Sequence, residues 1–258
     1  SFFEELMPEL ARETVTFLFT DIEGSTTLAH TLGNEYPTVV HEHRRLLTEA
    51  VEHAAGVVYG ALGDEVSAVF GSGPEAVAAA SFAQRSFANA AWPEGITVRV
   101  RTGIHTGRPA GEPGEYLGFD VHRTARICAA GHGGQVLISQ VVYEALGSRL
   151  PAGVTFRDLG THHLKDLPDP EHLFQLVTTG VRNEFPALRS GAEHAPTPHH
   201  PARTRELASS LLRAVTALQT RSRMRTLESE LVVPNEPFRL PTDYTATSIN
   251  KRRAMKFE

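Results

Sequence analysis

The chain has a single cysteine, Cys128. That excludes an intrachain disulfide framework and the small secreted scaffolds that depend on one. Also missing is any apolar run approaching the roughly 18 residues needed to cross a bilayer. The opening residues SFFEELMPELARE carry acids where a secretory leader carries basic residues, so no leader is expected. Net charge is −5, without the Lys and Arg excess of a nucleic-acid or anionic-membrane binder. His162-His163, His194 and His199-His200 lack the spacing of a zinc site and read as loop histidines. These absences lead to an expectation of a cytoplasmic protein with no nucleic-acid and no membrane partner.

What is present is an ordinary globular composition, 41% hydrophobic and 21% charged over 258 residues. That is enough chain for one large domain, or a domain with an arm. Thr14 to Thr20 is β-branched and aromatic, as in a buried strand, and Ser25 or Thr26 can cap a helix behind it. Apolar residues from Tyr36 to Ala54 recur at helical spacing up to Gly56. Val57 to Tyr59 and Val66 to Phe70 read as a hairpin around GALGD, and Pro74 opens a small-residue helix to about Ala90. Ile96 to His105 alternates like a half-buried strand. A helix is expected over Phe119 to Ala130, a short strand at Val136 to Ile138, and a helix over Gln140 to Leu146. A strand pair around LPDP closes the domain.

This order of hairpins and crossover helices predicts an α+β sandwich, a mainly antiparallel sheet with helices packed on it. The composition divides the chain into a lead-in at 1–13, a folded domain at 14–178, a Pro/His-rich linker at 179–205, and a C-terminal helix with basic tail at 206–258. Leu207, Leu211, Leu212, Val215, Leu218, Met224 and Leu227 give that arm helical spacing. Docking on the domain or pairing with a second copy is expected of it.

FLFTDIEGST holds the first chemical signal. A core strand ends on Asp21, and a second carboxylate, Asp64, stands in the hairpin turn. Strand-end aspartates serve as caps or turn formers, and they also serve as oxygen ligands for hard cations such as Mg²⁺. The turn Ile22 to Thr26 would offer backbone N–H groups at a helix start, suited to phosphate. Cys128 reads as packing.

FLFTDIEGST, GDEVSAVF, RTGIHTG, YLGFDVHRTARI, HGGQVLIS and LKDLPDPEHLFQLV, in that order over Thr14 to Val177, resemble the class III nucleotidyl cyclase homology domain. They are most similar to its bacterial branch with VHR-type motifs. The resemblance implies a ferredoxin-like, palm-like core and a homodimer whose shared active sites are built from both chains. It implies two Mg²⁺ or Mn²⁺ per site, held by Asp21, Asp64 and the Ile22 carbonyl, and a nucleoside triphosphate as substrate. Arg126 would stabilise charge on the α-phosphate, and Glu23, Gly24, Ser25 and Thr26 would line the phosphates. Lys165 resembles the lysine that reaches the terminal phosphates, or else is a solvated surface lysine.

The resemblance fails where the base is read. The position of the purine-reading lysine is Gly60, beside Tyr59, its partner position falls on Glu115, and the ribose-orienting asparagine is His122. Glycine cannot read a base edge. The expected function is therefore a cyclase with altered base choice, leaning toward a pyrimidine. That resembles the uridylate and cytidylate cyclases of Pycsar antiphage signalling. An adenylate cyclase, or a nucleotide-binding regulatory module without turnover, is the alternative.

Overall fold

In the computed structural model, residues 14–109, 118–147 and 150–189 are described. The lead-in 1–13, Glu115 and the arm 206–258 fall outside them. β1 (Val15–Ile22) is buried on both faces, which is why its sequence is apolar almost without alternation. It lies between two antiparallel neighbours, β3 (Glu65–Phe70) and β4 (Val100–Gly107). β2 (Val57–Leu62) forms the outer strand of the hairpin with β3. On the other side come β5 (Val136–Ser139), β7 (Glu171–Thr178) and β6 (Val154–His162). The seven-stranded order is β2-β3-β1-β4-β5-β7-β6, and the β4/β5 pair alone is parallel. This is the expected mainly antiparallel α+β sheet.

Among the described residues five α-helices join it: α1 (Ser25–Leu32), α2 (Tyr36–His53), α3 (Gly73–Asn89), α4 (Phe119–Ala130) and α5 (Gln140–Leu146). Leu18 and Phe70 pack with the small residues Ala76, Ala79 and Ala80 of α3 and with Val142 and Leu146 of α5. The other face carries Val15, Phe17, Phe19, Tyr59 and Val69, packed with Cys128, Val121 and Ala125 of α4. A Cβ on Gly103 of β4 would collide with the Cys128 backbone, so glycine there lets α4 lie close on the sheet. Strand alternation puts Asp21 on the face of Phe17 and Phe19, the side that α4 covers.

Two local expectations differ from the fold. Neither Ser25 nor Thr26 caps α1: its N-cap is Gly24, at φ 70°, and no side chain bonds the free amides. A left-handed residue there turns the chain off the strand within one step, for which glycine is suited. Of the stretch read as a linker, residues 181–189 run along the domain, with Leu188 packed beside Ile127 and Leu137. Composition pointed to a linker, but this segment is held by specific polar contacts that composition does not encode.

Candidate active site

The pairing Thr20↔Val66 places Asp64 across from Ile22 at the end of β1. There the Ile22 N–H donates to Asp64 Oδ2 at 3.0 Å. One carboxylate is thus tied to the backbone next to the other, Asp21, and the two feel each other's charge. Burial raises the Asp21 pKa, and Asp64 adds to this. Arg101 opposes both by hydrogen bonding and charge, with a smaller contribution from Arg189, and the net direction is upward. Arg101 stands across from Asp21 in the β1/β4 register. Its Nε donates at 2.6 Å and its Nη2 at 2.5 Å.

Asp21, Asp64 and the Ile22 carbonyl are a hard oxygen donor set, and a cation already sits on Asp21 in the form of the Arg101 guanidinium. Among the described residues no group of three or more His, Cys, Asp or Glu could hold a metal. This donor set therefore fits a hard divalent cation that completes its shell with substrate oxygens and water, rather than an all-protein cage.

The turn expected to face phosphate offers fewer amides than the sequence suggests. The Ile22 N–H goes to Asp64, and the Glu23 N–H goes to the Arg99 carbonyl at 2.8 Å. The free amides at the start of α1 are therefore those of Gly24, Ser25, Thr26 and Thr27, since the first helical bond is from the Leu28 N–H to the Gly24 carbonyl. The Glu23 carboxylate contacts Arg189 and accepts from the Gly133 N–H. Burial pushes its pKa up, but those partners and His132 bring it below the usual carboxylate value. Tyr36, at the start of α2, bonds Ser25 through its side chain and feels Asp64.

A second group lies on α4. His122 and Arg126 are one turn apart on the same stripe, with Phe119, which is 45% exposed. Arg126 Nη2 donates to Asp166 Oδ2 at 2.5 Å, and Asp166 adjoins Lys165. Arg126 thus pairs with the residue next to Lys165 in the chain, and not with Asp21 or Asp64. Within one chain Asp21 and Asp64 thus make one set of polar contacts and Arg126 makes another.

Tyr59 is 7% exposed, and its ring lies 6.3 Å from that of Phe19. Burial pushes its phenol pKa up strongly. The expected stacking surface is thus part of the core of the chain, because β2 bulges between Val58 and Gly60 and Tyr59 turns onto the α4 side. Gly60, half-buried, faces Ser67 across the ladder. Sequence reading missed Arg101, Tyr36, Asp166 and Arg189. Only Arg101 left a signal, as a charged residue in the alternating ITVRVRTGIH strand.

RTGIHTG has a structural role as well. His105 Nδ1 lies 2.8 Å from Ser139 Oγ and its Nε2 lies 3.3 Å from Asp120 Oδ1. The serine is 1% exposed and His105 2%, so this triad-like chain is closed to substrate. It instead ties the start of α4 to the sheet, aided by the Arg108 N–H donating to Asp120 at 2.9 Å. Burial lowers the His105 pKa despite the Asp120 charge.

Residues 7–178 match the family of adenylate and guanylate cyclase catalytic domains. The chain belongs to this class III cyclase family. An uncharacterised protein of Mycobacterium tuberculosis is 35% identical over 191 residues, 73% of this chain and 64% of its own length. The chain thus spans somewhat less than two thirds of that relative. A receptor-type adenylate cyclase of Trypanosoma brucei brucei is 26% identical over 230 residues, covering 72% of this chain and 18% of the receptor. Among solved structures, an adenylate cyclase domain of Trypanosoma brucei in a monomeric state superposes with a TM-score of 0.65 at 25% identity. That match covers 72% of this chain and 97% of the solved one. No helix among the described residues of this cyclase-family chain is long and apolar enough to cross a membrane.

Proposed function

We propose that the chain is a metal-dependent nucleotidyl cyclase, a phosphorus–oxygen lyase making a 3′,5′-cyclic nucleotide and pyrophosphate from a nucleoside triphosphate. The observation that supports this is Asp64 tied to the backbone beside Asp21 at the end of β1 of a cyclase-family chain, with Arg126 on α4 paired to Asp166 instead; we read these as two halves of one catalytic set, Asp21/Asp64 and His122/Arg126/Lys165. A homodimer would join the first half of one chain to the second half of the other, giving two shared sites.

Asp21, Asp64 and the Ile22 carbonyl would hold two divalent cations, Mg²⁺ or Mn²⁺. When bound, these supply the charge that acidifies the ribose 3′-hydroxyl and neutralises the leaving pyrophosphate. The amides of Gly24, Ser25 and Thr26 receive phosphate oxygens at the start of α1. Arg101, which holds Asp21 here, would offer its fork of donors to the triphosphate if a bound cation shared that carboxylate. Arg126 exchanges Asp166 for the α-phosphate and stabilises the charge that builds there, while Lys165 reaches the terminal phosphates. His122 orients the ribose. The 3′-oxygen to α-phosphorus bond forms, the bond to the bridging oxygen breaks, and the hydroxyl proton passes to solvent.

Base choice leans toward a pyrimidine, giving cyclic UMP or cyclic CMP. Gly60 has no side chain to read a purine edge, and Glu115 stands at its partner position. A role as an antiphage alarm signal of the Pycsar kind, within the VHR-motif bacterial branch, goes with that lean, as does a reducing cytoplasm for the single cysteine. Adenylate cyclase is the second reading, favoured by the names of the trypanosome relatives.

The test is incubation with Mn²⁺ or Mg²⁺ and each of the four nucleoside triphosphates, with products resolved by chromatography. Cyclic UMP or cyclic CMP as main product supports the lean, and cyclic AMP supports the second reading. Nucleotide binding without pyrophosphate release at high protein concentration would leave a regulatory module.

A further inference from the structure

Beyond the end of the family match, residues 179–189 stay on the domain. Thr179 N–H donates to the Gly153 carbonyl at 2.9 Å, and Asn183 brackets Thr178, accepting from its N–H and donating to its carbonyl. Gln175 Nε2 donates to the Asn183 carbonyl at 2.7 Å, and Arg157 pairs with Glu184 at 2.6 Å. Further on, His132 Nε2 donates to the Ala187 carbonyl at 2.8 Å and the Arg189 N–H to the Ala130 carbonyl at 2.9 Å. These bonds carry a strap from β7 across the GHGG turn to the end of β1. There the Arg189 guanidinium contacts the Glu23 carboxylate.

Glu23 is the first of the four residues, Glu23 to Thr26, expected to line the phosphates. Its side chain is boxed in: a Cβ on Gly133 would run into both Glu23 and Arg99, so the HGG sequence is what lets this carboxylate sit against the backbone. The Gly133 N–H is its other donor. The Glu23 and Arg189 side chains are about a quarter exposed, so the pair is neither sealed in the core nor free in solvent. An unpaired carboxylate at this place would face an incoming triphosphate with the wrong sign of charge.

We propose that Arg189 is a positioning residue for substrate binding: it pins and neutralises Glu23, so that the Gly24–Thr26 amides face the triphosphate without a competing carboxylate. This rests on the cyclase reading of the site. It makes the cyclase site depend on a residue beyond β7, outside the stretch that matches the family.

Because the turn holds phosphates alike in ground and transition states, the effect falls on KM rather than kcat. Arg189→Ala is expected to raise the KM for the accepted nucleotide about five- to tenfold, somewhat less than a fully buried charge-assisted contact because the pair is partly exposed, with kcat within about twofold. Arg189→Lys should recover part of it. In a Glu23→Gln background Arg189→Ala should add nothing further, since the charge to be neutralised is gone. Hydrogen–deuterium exchange of residues 21–28 in the nucleotide-free protein gives a readout that needs no turnover, and Arg189→Ala should speed it. An unchanged KM or unchanged exchange overturns the proposal. So does an Arg189→Ala effect as large in Glu23→Gln as in the parent, which would make Arg189 a direct phosphate ligand. If the parent protein forms no cyclic product from any nucleotide, the cyclase reading fails. The exchange comparison then decides the hold of Arg189 on the turn by itself.

Discussion

Arg101 closes on both oxygens of Asp21, at 2.6 and 2.5 Å, from the neighbouring strand β4. The arginine side chain is 13% exposed and the aspartate 32%. Removing the guanidinium would leave a partly buried carboxylate unpaired, at a cost of about 1–3 kcal/mol. Arg101→Ala should therefore lower the melting temperature of the metal-free protein by several degrees. A divalent cation can replace the missing charge, so Mn²⁺ should raise the melting temperature of the variant more than that of the parent. Equal shifts in thermal denaturation would show that the cation does not reach Asp21.

Asp64 has a different balance. It lies in a half-exposed turn and accepts the Ile22 N–H. Asp64→Ala should cost about 1 kcal/mol of stability, the value of that hydrogen bond. Cyclisation should fall to below about one hundredth of the parent, since the cation loses a carboxylate. Chemical denaturation and initial-rate assays of the same preparation separate the two effects.

His43 makes acid stability a property of α2. It is fully buried and stacked on Phe87 at 5.5 Å, with no hydrogen bond to either ring nitrogen. Burial, against the opposing pull of Asp64, depresses its pKa to about 4. Between about 4 and the ordinary value of 6.5 the unfolded chain binds a proton that the folded chain refuses. Its contribution is therefore full above pH 6.5 and is lost as the pH falls toward 4, by at most about 3 kcal/mol. His43→Leu should flatten the pH dependence of unfolding across that window. A variant as acid-sensitive as the parent would place the titration elsewhere.

The sequence made regular elements legible where local signals agree. α4 begins at Phe119 and α5 at Gln140, as periodicity and the flanking glycines indicate. The motif order located the end of β1 and the hairpin. Contacts between distant residues were not legible: alternation assigns Arg101 to a face but does not name Asp21, 80 residues away, as its partner. Glu23 and Arg189 are further apart still, and the strap between them has the composition of a linker. Tyr59 misled because a bulge beside it turns its ring into the core.

The central claim is that the two half-sites of this chain work only when joined across a dimer. It is tested most directly by mixing two inactive variants, Asp64→Ala and Arg126→Ala, which damage opposite halves. With random exchange of subunits, half the dimers are mixed, and each mixed dimer carries one intact site. The mixture should recover about one quarter of the parent's cyclase activity. A mixture as inactive as either variant alone would contradict a site shared between chains.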